Sequence, residues 1–173
     1  MERITDTHVF FWGSEFSNFY PCKFEDQGKV FHNSEQAFMC RKAGYFEDWI
    51  IYNEILEEGS NPKRAKELGR EVKNFNSQYW MEVCLEEMIE VNLSKYKSDP
   101  YLQELLLSTG DKTIVEASPT DSIWGIGLHW SDDRVLDESK WQGKNLLGKA
   151  LMEVRRILNE EIPKNTIGWI RKN

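Results

Sequence analysis

The chain has 173 residues, 40% of them hydrophobic and 29% charged, which suits one domain with a true core and excludes wholesale disorder. A formal charge of −7 excludes the broad basic coat that long nucleic acid requires, though a local basic pocket remains compatible with it. No apolar run is long enough to span a bilayer, the opening MERITDTHVFFWG lacks the pattern of a signal peptide, and Cys22, Cys40 and Cys84 fit neither a disulfide framework nor a zinc site, so a cytoplasmic protein is expected.

Taken in chain order, residues 7–12 and 19–31 read as short strands, with EDQG at 25–28 as a turn. Asn33 then has the character of an N-cap, and Gln36 stands at the capping-box spacing. The helix they open runs from Ser34 to Lys42 and stops near Gly44. A second helix covers 46–58. A third has Asn61 as cap, Pro62 as first residue and Gly69 as terminator. The longest begins after Asn76 or Ser77 and reaches Tyr96, with an apolar stripe of Met81, Leu85, Met88 and Ile89 or Asn92. Pro100 opens a short helix that Gly110 closes, and KTIVEAS supplies a strand over 113–117. The segment PTDSIWGIGLHWSDDRVLDESKWQGKN is long for a connection in a compact domain, a length that marks functional or disordered loops. NLLGKALMEVRRIL forms a final core helix, and the residues after Pro163 form a peripheral tail.

The candidate functional residues are mostly carboxylates. Glu35 sits in a first helical turn, where the macrodipole alone favours an acid by ~0.3–1 kcal/mol. Yet Lys42 follows seven residues later on nearly the same face, with Phe38 and Met39 between them. An acid and a base separated by an apolar strip suit the lining of a pocket; the plainer reading of Lys42 is a side chain snorkelling near a helix end. Strand alternation puts Glu116 on the face of Ile114 and Ser118, either at an edge or aimed into a cleft. Asp121 lies in a turn-forming stretch. Trp124 precedes Gly125-Ile126-Gly127, where backbone can approach a partner closely.

Lys144 and Asn145 open the last helix, and Asn145 is a suitable cap; a helix N-terminus beside a lysine is a ready anion site. The basic run Lys63, Arg64, Lys66 and Arg70 is a second such candidate, most of it readable as a solvated helix face. The seven tryptophans include several in loops, where they either stack on a flat ring or fill the core. His8, His32 and His129 show no metal-ligand spacing, and neither HExxH nor GxSxG occurs. Acid–base chemistry by carboxylates is the most economical enzymatic reading, with no metal and no cofactor expected.

The blocks EFSNFYP (15–21), NSEQAF (33–38), NPKRAKELGR (61–70), YW (79–80), LLLSTG (105–110), IVEASPTDSIWGIG (114–127) and WQGKNLLGKALMEVR (141–155) resemble, in order, the NADAR family. That family includes N-glycosidases acting on riboflavin-biosynthesis intermediates. The resemblance implies a compact single α+β domain, mainly helical with a small sheet of short strands, over residues 1–162, with 163–173 as the tail. It implies hydrolysis of a C1–N bond in one of two substrate classes: phosphoribosylamino-pyrimidines of riboflavin synthesis, or ADP-ribose on guanine in nucleic acid. Glu35 corresponds to the carboxylate of the family's SE motif, Glu116 and Asp121 to the acids of its VE…D…WG block, and Trp80 and Trp124 to its tryptophans. Asn18 is assigned to a ribose hydroxyl or base edge, and Lys42 to a phosphate or to orienting the carboxylate. The segment from His129 to Gly143 is longer than the short Gly-rich loop of some members. No stable protein partner and no membrane are implied. The alternative is a non-catalytic module that binds ADP-ribose or NAD.

Overall fold

The computed structural model describes residues 2–161; residue 162 and the tail 163–173 lie outside the described residues. Strands β1 (Glu2–Ile4), β2 (His8–Phe11) and β5 (Thr113–Glu116) form one sheet in the order β1-β2-β5. β1 runs antiparallel to β2, and β5 runs parallel to it, with Phe11 opposite Glu116. β3 (Phe24–Asp26) and β4 (Lys29–Phe31) make a separate hairpin. Among the described residues six helices surround these strands: α1 (Ser34–Tyr45), α2 (Trp49–Glu58), α3 (Pro62–Arg70), α4 (Ser77–Ser98), α5 (Pro100–Ser108) and α6 (Leu146–Glu161).

The sheet has a different core on each face, as alternation requires. Val9, Phe11 and Ile114 join the main helical core, while Phe10 and Val115 face Ala117, Ile126, Leu128 and Val135. The second cluster belongs to the long connection after β5, which folds into two short 3-10 turns (Asp133–Leu136 and Glu138–Lys140) and packs Trp130 and Trp141 against it. That connection is therefore an ordered layer covering the sheet. Arg41 locks three elements together. Its guanidinium donates twice to Asp26 (2.8 Å each) at the end of β3 and once to Glu87 on α4 at 2.7 Å. Among the described residues no helix is long and apolar enough to cross a membrane.

Several boundaries depart from expectation for physical reasons. Residues 12–23 are irregular, and only the hairpin at 24–31 is extended. Its turn residues Gln27 and Gly28 both have positive φ (49° and 73°), the geometry of a tight two-residue hairpin. β1 was not anticipated, because this edge strand has no buried residue to create a pattern. Helix α1 runs through Gly44, against which Trp49 and Tyr52 pack. α2 starts at Trp49 because Asp48 caps it, accepting from Ile51 N at 3.2 Å. Gly69 lies inside α3, where Met39 occupies the space a Cβ would need.

The buried face of α4 is Trp80, Cys84, Met88, Val91, Asn92, Lys95 and Tyr96; of the expected stripe Met88 and Asn92 lie on it, Leu85 and Ile89 pack at its border, and Met81 is 39% exposed. Asn145 is not a conventional cap. With φ of 52° it turns its amide onto β5, accepting from Glu116 N (3.0 Å) and donating to Ile114 O (2.9 Å).

Candidate active site

Glu35 reaches its position because other residues perform the capping. Asn33 Oδ1 accepts from Gln36 N at 2.8 Å, Gln36 Oε1 accepts from His32 N at 3.0 Å, and Gln36 Nε2 donates to Ile55 O on α2. The first turn is thereby satisfied without Glu35, whose own N–H goes to Asn18 O at 3.0 Å. Its carboxyl is free of capping duty, yet only 6% exposed.

It opens onto a cavity of about 530 Å3. Glu116, at the end of β5, and Asp121, in the turn that follows, line the same cavity. Burial pushes the Glu35 carboxyl up to about 7; Asp121 adds to the rise, while Lys66, the Asn18 side chain and Arg70 oppose it. Burial pushes Glu116 up to about 8, reinforced by the negative charges of Asp121 and Glu35. Glu116 Oε2 is buried with no hydrogen-bond partner. Asp121 is more constrained: Oδ1 accepts from Ile123 N (2.9 Å) and Trp124 N (2.8 Å), and Oδ2 lies 3.7 Å from Lys66 Nζ. It shapes the turn that carries Trp124.

The aromatic wall is centred on Phe38. Trp80 packs against it at 5.4 Å and Trp124 meets it edge-on at 5.1 Å, between ring centroids. Trp80 is buried among Phe38, Tyr45 and Phe46, so the half-buried Trp124 offers the freer surface. Asn18 also lines the cavity, and its amide is held by Met88 Sδ (3.2 Å) and Asn92 Nδ2 (3.4 Å). Lys42 lines it as well, its Nζ donating to Gly69 O at 2.7 Å.

Three expected residues lie elsewhere. Lys144 is exposed and away from the cavity lining; Asn145 is buried and committed to the β5 backbone. Gly125 sits behind the lining, where a Cβ would press on the carbonyls of Glu116 and Asp121 at 2.9 Å each, so its service is close packing beneath the two acids. Lys66 and Arg70, one turn apart on α3, line the cavity, whereas Lys63 and Arg64 do not. Their i, i+4 spacing was visible in the sequence, but nothing there marked that face as the one turned inward. Among the described residues no group of three or more His, Cys, Asp or Glu has the arrangement to hold a metal ion.

The profile of the NADAR domain family matches residues 10–159. The chain is 42% identical to an N-glycosidase of Acanthamoeba polyphaga mimivirus, over 87% of this chain and 96% of that protein. It is 29% identical to a riboflavin biosynthesis protein of Vibrio vulnificus, over 89% of this chain and 38% of that protein. The NMR structure of the Escherichia coli protein YbiA superposes with a TM-score of 0.73 at 29% identity, covering 92% of this chain and 89% of that one.

Proposed function

This chain belongs to the NADAR domain family, and on that premise we propose that it is a hydrolase of N-glycosyl compounds, cleaving the C1–N bond of a ribosylated amine or base. The observation that carries the reading is a pair of acids, the buried Glu35 and the partly buried Glu116, facing one cavity beside an aromatic wall. Breaking a C1–N bond places positive charge on the sugar and negative charge on the departing nitrogen. One ionised and one protonated carboxyl answer both demands.

The surroundings of the two carboxyls support one division of roles, although Lys66 lowers and Asp121 raises the pKa of both. Lys66, Asn18 and Arg70 all favour the ionised form of Glu35, while the partnerless Oε2 of Glu116 and its acidic neighbours favour the neutral form there. Burial raises both carboxyls, and in this mechanism the pair shares one proton, carried by Glu116 at the moment it acts as the acid. Glu116 gives that proton to the nitrogen as the C1–N electron pair leaves with it. Glu35 stabilises the sugar cation and takes a proton from the water whose oxygen bonds to C1. Both carboxyls then return to their starting states by exchange with solvent. Asp121 holds the Trp124 turn and keeps negative charge beside the pair. Trp124 meets the ring of the base with Trp80 supporting it through Phe38, and Asn18 orients Glu35.

The substrate class we favour is a phosphoribosylamino-pyrimidine of riboflavin synthesis, supported by the relative named for that pathway. A non-catalytic reader is disfavoured, since a pure binder gains nothing from two acids buried at a cost. The test is turnover by wild type and Glu35→Gln on two substrates: the ribosylaminopyrimidine phosphate, and ADP-ribosylated guanine in a short DNA. Release of ribose phosphate from the first, lost in the variant by about 10²–10⁴-fold, is expected for a positioned acid–base group. Cleavage of the DNA substrate alone moves the reading to ADP-ribosyl-guanine. Wild-type turnover by folded Glu35→Gln removes Glu35 from the chemistry.

A further inference from the structure

Among the described residues, three large apolar side chains line the cavity and are nonetheless exposed: Phe75 at 45%, Met81 at 39% and Ile123 at 43%. An exposed apolar residue by itself signifies nothing. Phe75 has partners, with Lys42 Nζ 4.3 Å from its ring centroid and the Phe46 ring at 5.3 Å. Met81, in the first turns of α4, is unbranched and adapts to whatever touches it. Ile123 differs from both. Among the described residues it joins neither hydrophobic core, although its neighbour Trp124 packs against the main one. Its β-branched side chain is stiff, and the backbone that carries it is tied down.

Asp121 Oδ1 accepts from Ile123 N at 2.9 Å and Trp124 N at 2.8 Å. The carbonyls of Asp121, Ser122, Ile123 and Trp124 accept in turn from Gly127 N (3.1 Å), Lys144 N (2.9 Å), Leu146 N (3.1 Å) and Leu147 N (3.1 Å). Gly143 closes the packing, since a Cβ there would lie 2.8 Å from Ser122 Cα. A turn bonded through each of its carbonyls does not yield to a ligand. What Ile123 presents to the cavity is a fixed apolar edge.

The same turn lies against the acid that serves as proton donor in the proposed mechanism. A Cβ on Gly125 would press on Glu116 O and Asp121 O alike, at 2.9 Å each, and Ile126 N donates to Glu116 O at 3.0 Å. A proton passed from Glu116 to the departing nitrogen puts the leaving group on this side of the cavity, beside Ile123 and Trp124. Trp124 offers a ring face, which accepts flat rings of any size. A fixed, branched side chain next to that face admits one outline and obstructs a larger one.

We propose that Ile123 is a specificity residue for the leaving group: its side chain bounds the space beside Trp124, so that a single-ring heteroaromatic amine fits and a fused two-ring base is obstructed. This assignment rests on the N-glycosidase reading and adds the residue that enforces its preferred substrate class.

The test is inhibition of ribosylaminopyrimidine phosphate turnover by diaminouracil, methylguanine and ribose 5-phosphate, in wild type, Ile123→Val and Ile123→Ala. Thermal melts of the three proteins check that the fold is kept, as expected for a side chain outside both cores. In Ile123→Ala the preference for diaminouracil over methylguanine is expected to fall by about 10-fold, the lower end of what one methylene-sized change carries in an apolar pocket. Ile123→Val restores most of that preference, and ribose 5-phosphate inhibits all three proteins equally. A preference that stays or rises in Ile123→Ala overturns the proposal. Equal weakening of all three ligands overturns it too, because that marks a loosened site and no selective contact. The two readings fail separately. A wild type that cleaves no ribosylated substrate removes the hydrolase, and calorimetric titration of the two free bases into the same proteins then decides the role of Ile123 by the same ratio.

Discussion

At the scale of single residues, the behaviour of Glu35 and Glu116 is set by what surrounds each carboxyl. Burial raises both carboxyls, Glu35 to about 7 and Glu116 to about 8, and the proposed mechanism uses Glu35 ionised and Glu116 protonated. Activity is therefore expected to follow a narrow bell, its acid limb near 7 and its alkaline limb near 8, read as kcat/KM against pH. Glu116→Gln keeps the shape of the side chain but has no proton to give. It is expected to lose the alkaline limb together with most of the turnover, and an unchanged limb places that ionisation elsewhere. Glu35 stands out in the sequence as an acid among Phe31, Phe38 and Met39, but a first-turn acid favoured by the helix dipole explains it as well, and only its burial on a cavity wall separates the two readings. Lys66 and Arg70 do not stand out, because helical spacing shows which residues share a face but not which face meets a cavity. Lys144 misled for a related reason: a cation beside a helix start satisfies the general rule for anions, and the rule is silent about where that start points.

At the scale of elements, the irregular segment 12–23 is as decisive as any helix. It brings Ser17, Asn18 and Phe19 to the cavity, and α4 holds it there. Lys95, fully buried on that helix, donates to Glu15 O at 2.7 Å and Ser17 O at 3.1 Å; Asn92 and Met88 on the same face hold the Asn18 amide. Lys95→Met removes a costly buried ammonium and also leaves two carbonyls unpaired, so its effects on global stability offset one another. The expected change is local: amide exchange across 15–19 accelerates and turnover falls, as hydrogen-exchange mass spectrometry and a rate assay on one preparation will show. Unchanged exchange there assigns the loop's order to its other contacts. The sequence makes α4 recognisable by length and periodicity, yet the expected stripe of Met81, Leu85, Met88 and Ile89 or Asn92 coincides with the buried face only at Met88 and Asn92. A helix packed by α1, α6 and the β3–β4 hairpin has apolar residues on several faces, which blurs the period.

At the scale of the whole molecule, the buried acids set how stability depends on pH. Both fold with pKa values above their ordinary 4.5, so the native state binds more protons than the unfolded chain from about 4.5 up to about 7 and 8. Stability is fully present below that window and falls as pH rises through it. Burial moves Lys95 the other way, from 10.5 down to about 8, so stability rises again between those values. Thermal melts of wild type from pH 4.5 to 8 are expected to show a declining Tm. Glu35→Gln and Glu116→Gln are expected to flatten it and to melt higher than wild type at the alkaline end. A Tm independent of pH in wild type contradicts the burial of these acids.

The sequence alone determined where the helices fall, the caps at Asn33 and Asn61, the strand carrying Glu116, and the ordered motif blocks that mark the family. These are local properties: caps, proline positions and alternation act within a few residues, and motif order survives any folding. The tertiary structure decided that the connection after β5 builds a second core, that Asn145 braces a strand, and that α3 turns Lys66 and Arg70 inward. It also decided which acids share a cavity. Those outcomes depend on which surfaces meet, and a carboxyl's burial, the cause of its raised pKa, is created only when distant segments close around it.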